Sequence, residues 1–185
     1  MKEKINLGIV AFVRNTYDAQ KGQEIYKQSL LDLENTLDNV NLFGWQNVIE
    51  YPYELEEVLN SFKEHNVDGV VLLSATFHLG QLALKIAKNI NKPFLIWALP
   101  EPSYHGERLR LNSLVGAHLD CSNLYKSGFD NFEFIYGETK DPEFKNKLNN
   151  WLDALRIIKK WNNTKIGLIG DHAQVFIIST YMSLK

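Results

Sequence analysis

The chain has 185 residues, a formal charge of −2 and a sequence pI near 6.2, with 45% hydrophobic, 12% aromatic and 23% charged residues. This balance fits one folded, soluble core and excludes a disordered or fibrous chain. It gives no basis for nucleic acid or an anionic membrane as partner, since either needs a cluster of uncompensated Lys and Arg. No apolar run approaches the ~20 residues needed to span a bilayer, and the opening MKEKINLGIVAFVRN reads as a strand rather than a signal. Cys121 is the single cysteine, so no internal disulfide framework exists. The expected location is the cytoplasm, and the expected role of Cys121 is that of a small buried hydrophobe.

In chain order, Ile5 to Val13 is an apolar run of the kind shown by parallel strands buried on both faces. Tyr26, Leu30, Leu33 and Leu37 then recur at helical steps and predict one packed helix face. Trp45 to Glu50 is a weaker run with polar interruptions, assigned to a strand near a sheet edge. Leu55, Val58, Leu59 and Phe62 form the next helical face, and Gly69 to Ser74 the next core strand. Leu79, Leu82, Ala83, Ile86 and Ile90 predict a helix that stops before Lys92-Pro93. Phe94 to Leu99 is another core strand, and Phe132 to Gly137 a second weak one. Asp141 followed by Pro142 supplies an N-cap and a preset first residue for a helix whose Phe144, Leu148, Trp151, Leu155 and Ile158 face inward. Ile166 to Gly170 closes the series as a further core strand.

Strand and helix in alternation imply an α/β fold: a doubly wound, mainly parallel sheet of about six strands, flavodoxin-like or Rossmann-like. The expected domain spans residues 1–170, with 171–185 beginning a following segment.

Ligands of such sheets meet the loops at the carboxyl ends of the strands. The loop after the first strand, RNTYDAQKG, has bulky residues where a phosphate-binding loop demands glycine, which argues against a dinucleotide or P-loop enzyme. Arg14 can donate paired hydrogen bonds to a sugar hydroxyl or a carboxylate, and Asp18 can accept from hydroxyls, a combination suited to a polyol. A surface Arg–Asp pair is the plainer alternative. Phe77, His78 and Trp97 could offer aromatic surface to a sugar ring, with ordinary packing as the competing role, above all for Trp97 inside its apolar run. The long loop after Leu99 adds Glu101, Arg108, Arg110 and Asn112 as further candidates for substrate contact. His65, His105, His118 and His172 show no metal-binding spacing, and no nucleophile elbow is present.

The ordered set PFLIWALPEP, RLNSLVG and KIGLIG, with LGIVAFVRNTYD ahead of it, resembles the L-fucose isomerase family from about Ile5 to the end. The resemblance implies an aldose–ketose isomerase that uses manganese or another divalent metal, with proton transfer between adjacent carbons through an enediol. It implies that the metal ligands come from later domains, so that this chain is the N-terminal domain, holds no metal or catalytic residue, and is inactive alone. The small-molecule partner is then a sugar, and the protein a homo-oligomer. Arg14 and Phe77 match positions that, in the fucose enzyme, help close a neighbouring subunit's pocket. Phe77, followed by His78, stands where that enzyme has a Trp, which puts fucose itself in doubt. The second reading is a non-catalytic sugar-binding or regulatory module of the same fold.

Overall fold

The computed structural model describes residues 3–102 and 108–165. The expected strand Ile166–Gly170 and the segment 171–185 lie outside them.

The first strand, β1 (Ile5–Phe12), sends Ile5, Leu7, Ile9 and Ala11 to one face of the sheet and Val10 and Phe12 to the other, all fully buried. A strand buried on both faces belongs at the centre of a sheet. Asp18 caps the helix that follows, α1 (Ala19–Thr36), by accepting from the Lys21 N–H at 3.0 Å. Tyr26, Leu30 and Leu33 of α1 lie on the sheet, and the Tyr26 hydroxyl donates to the Ile9 carbonyl at 3.0 Å.

The second strand departs from expectation. β2 is Val40–Gly44, not 45–50, and every residue of it is half-buried. Edge exposure dilutes its apolar signal with Asn41, whereas Trp45 to Glu50 bends at Gln46 and Asn47 and meets β1 through the Trp45 N–H on the Ile9 carbonyl at 3.0 Å and a bridge between Ile49 and Phe12. A short 3-10 turn at Pro52–Glu54 leads into α2 (Leu55–Glu64), which buries the predicted Leu55, Val58, Leu59 and Phe62.

Strand β3 (Gly69–Ser74), helix α3 (Gln81–Asn89) and strand β4 (Phe94–Ala98) follow within a residue or two of expectation. The next helix, α4 (Ser113–Lys126), was not foreseen. Its buried face is Ser113, Gly116, Ala117, Asp120 and Leu124, small or polar at four of five positions, so no hydrophobic period marks it.

Strand β5 (Phe132–Tyr136) lies at the other edge, and α5 (Pro142–Asn162) buries Phe144, Leu148, Trp151, Leu152 and Leu155. Asp141 holds the N-cap position, but its side chain turns back to accept from the Glu138 N–H at 2.7 Å. Ile158, expected to face inward, is 42% exposed. By that point α5 has run past the strand starts, where Arg156 and Lys159 donate to the carbonyls of Glu3 and Lys4.

All four pairings are parallel and give the order β2-β1-β3-β4-β5, five strands among the described residues against about six expected. Helices α1 and α5 cover one face, and α2, α3 and α4 the other. The fold is the doubly wound α/β sandwich in its flavodoxin-like order. Every strand ends at the same rim, and the chain order reverses between β1 and β3, where such sheets open a crevice.

Candidate functional site

The crevice between β1 and β3 is framed by three loops: residues 13–18, residues 75–80, and the part of the β4–α4 connection that is described. Seven of the eight sequence-predicted residues stand on this rim, and most are tied to one another.

Asp18 faces Arg110, with Oδ2 accepting from Nη2 at 2.5 Å and from Nε at 3.1 Å, and the Asp18 N–H donates to the Arg110 carbonyl at 2.9 Å. The Lys21 N–H and then Arg110 hold the Asp18 carboxyl below its ordinary value. Glu101 accepts from three consecutive backbone N–H groups, those of Arg110 at 2.6 Å, Leu111 at 3.0 Å and Asn112 at 3.0 Å. It therefore fixes the entry to α4, where Asn112 is left-handed at φ 52°. Arg108 donates to the Thr16 carbonyl at 2.9 Å and lies 5.2 Å over the Tyr17 ring.

Tyr17, which sequence reasoning left unmarked, is the hub. Its ring is 5.6 Å from that of Phe77, and its hydroxyl accepts from Asn112 Nδ2 at 3.1 Å. Phe77 is half-buried, and its N–H donates to the Leu111 carbonyl at 2.8 Å.

Arg14 is different. Its backbone N–H donates to Thr76 Oγ1 at 2.9 Å, but its half-buried guanidinium has no partner among the described residues. Of the predicted charged residues on this rim, it alone is uncommitted.

His78 is placed beneath the rim, fully buried, with Nε2 2.9 Å from Asp120 Oδ2 on α4. Ser74 and Ser113 lock together beside it: Ser74 Oγ donates to the Ser113 carbonyl at 2.8 Å, Ser113 Oγ donates to the Ser74 carbonyl, and the Leu99 N–H donates to Ser113 Oγ at 2.7 Å. His78 Nδ1 faces the Thr76 carbonyl at 3.0 Å and so must donate. Burial opposes charge on His78, but the Asp120 carboxylate, its hydrogen bond and the Thr76 carbonyl outweigh it and raise the imidazole; burial also raises Asp120. Both directions mean that the pair keeps its proton. Asp120 Oδ1 has no partner among the described residues, an omission that typically costs about 1–3 kcal/mol. With both ring nitrogens engaged, His78 would have to leave this network to touch a ligand. Asp120 escaped sequence reasoning because α4 did.

Trp97 belongs to the core: it is 1% exposed, its Nε1 donates to the Gly137 carbonyl at 2.8 Å, and its ring lies 4.7 Å from that of Phe144. Cys121 is half-buried, and burial, followed by the charge of Asp120, pushes its thiol up to about 11, which leaves it unreactive near neutral pH. His65 is exposed, its ring tilted by 33° against that of Phe43 with centroids 4.1 Å apart; His105 and His172 lie outside the described residues. Among the described residues, no three His, Cys, Asp or Glu side chains converge to hold a metal ion, and no helix is long and apolar enough to cross a membrane. A cleft of about 220 Å³ opens on the α1 side between Gln28, Asp32 and Thr139, where Asp32 accepts from both Gln28 and Thr139.

The family described as fucose/sulfoquinovose isomerase, N-terminal domain, matches residues 8–162. The sulfoquinovose isomerases of Priestia aryabhattai and Priestia megaterium are each 31% identical over 167 residues, which cover 90% of this chain and 36% of their own length. That of a Clostridium species is 30% identical over 121 residues, covering 65% of this chain and 27% of its own length. The chain thus spans about a third of the length of the Priestia relatives. With most of its length matched both to the family and to these isomerases, the chain belongs to the fucose/sulfoquinovose isomerase family and corresponds to its N-terminal domain.

Proposed function

We propose that this domain forms one wall of the sugar site in an aldose–ketose isomerase acting on a sulfonated hexose. The reading rests on Arg14, whose guanidinium has no partner among the described residues and stands at the β1/β3 crevice beside the loop residues Tyr17 and Phe77, whose rings pair. A guanidinium donates two parallel hydrogen bonds to neighbouring oxygens of an acid group, and an aromatic face covers the C–H side of a sugar ring. A neutral deoxy sugar would leave that charge unmatched. The names of the relatives point to the same anionic substrate class.

The described residues hold no ligand set for a divalent metal, so no step of the reaction is assigned to an ion in this domain. In the proposed full-length enzyme, manganese or another divalent ion and the carboxylates that move the proton belong to other polypeptide. This domain binds and orients the substrate and helps to exclude water.

The test uses the full-length protein with 6-deoxy-6-sulfoglucose and with L-fucose as substrates. Turnover of the sulfonated sugar is expected, with KM raised at least about 30-fold by Arg14→Ala and less by Arg14→Lys, and kcat changed little. Preference for the neutral sugar, or an Arg14→Ala KM equal to wild type, would refute the reading.

A further inference from the structure

We propose that His78 and Asp120 are positioning residues for the sugar wall, a buried pair that fixes Phe77, Asn112 and Arg14 relative to one another without touching the ligand. The inference rests on the reading of the rim just given.

Its geometry is a closed frame. The end of β3 and its following loop are joined to α4 and its entry at four places: by the Phe77 N–H to the Leu111 carbonyl at 2.8 Å, by the reciprocal Ser74–Ser113 hydrogen bonds, by His78 Nε2 to Asp120 Oδ2 at 2.9 Å, and by Asn123 Nδ2 to the Gly80 carbonyl at 3.3 Å. The His78–Asp120 bond lies about two helical turns beyond the first two along α4, and the weaker Asn123–Gly80 bond about one turn farther, so the buried pair helps to set the angle of the helix and not only its start. Thr76 carries the frame to β1, since its carbonyl accepts from His78 Nδ1 while its Oγ1 accepts from the Arg14 N–H. A displaced imidazole would therefore release the turns that bear Phe77 and Arg14 together. Gly116 lets α4 approach this closely: an added Cβ would collide with Ser74 Oγ and lie 3.0 Å from His78 Nδ1.

The energetics favour a geometric role over a stabilising one. Apolar residues of the same volume would pack at this depth without losing hydration, whereas the pair must be desolvated and still leaves Asp120 Oδ1 unmatched. A buried polar pair of this kind selects one arrangement among several of similar energy.

The experiment compares Asp120→Ala, Asp120→Asn and Leu124→Ala in the full-length protein. Leu124 is a core residue of the same helix that takes no part in the frame. Asp120→Ala should raise KM about tenfold with kcat within about threefold, and should speed amide exchange in peptides covering 74–80 and 110–116. Asp120→Asn, whose amide can donate to Nε2, should keep KM within about threefold of wild type. Leu124→Ala should lower Tm yet leave KM and exchange in those peptides unchanged. The proposal is overturned if Asp120→Ala and Leu124→Ala behave alike, if Asp120→Asn is as impaired as Asp120→Ala, or if kcat falls while KM holds. Should the full-length protein isomerise no sugar, the exchange data still decide this proposal, so it and the proposed function fail separately.

Discussion

Asp18 does two jobs with one carboxylate, since Oδ1 caps α1 and Oδ2 holds Arg110. Both partners favour the ionised form and depress its titration below the ordinary 3.8. The stabilisation is therefore complete above that ordinary value and is lost as pH falls through the lower, folded one. Asp18→Asn should flatten the decline of Tm below about pH 4, and a set of melting curves from pH 2 to 7 would show it. The position of Asp18 at a strand end was legible in the sequence, as were those of Glu101, Arg108, Arg110 and Asn112. Their partners were not: Glu101 reaches 9 to 11 residues along its own connection, and Arg108, Arg110 and Asn112 pair with the first loop, 92 to 95 residues away. A list of polar residues at a rim cannot separate the uncommitted Arg14 from the committed Arg110. His78 shows the same limit in reverse, since its acid partner sits on an element that had not been recognised.

At the scale of elements, legibility followed burial. Strands β1, β3 and β4 are covered on both faces and read as continuous apolar runs, whereas β2 is an edge and was placed five residues too late. Helix α4 left no apolar stripe because its inner face is built for close approach and hydrogen bonding. Gly116 is the clearest instance. Gly116→Ala should cost about 1–3 kcal/mol through overpacking against Ser74 and His78, despite the better helix propensity of Ala, and thermal denaturation would measure it. A gain in Tm would mean that α4 can retreat from β3 without penalty.

For the whole molecule, parallel strands place the strand-end loops of the described residues on one rim. The resemblance to the fucose enzyme implies a pocket shared between neighbouring subunits, and so a homo-oligomer. Sedimentation of the full-length protein should give an oligomer, and a strictly monomeric mass would remove the shared pocket from the proposal. The opposite rim has its own consequence. There Lys159 at the end of α5 grips the Lys4 carbonyl and Asp68, while Arg156 reaches the carbonyls of Glu3 and Asp38. The start of β1 and the end of α5 are thus held to each other at the rim opposite Arg14, with the length of the strands between.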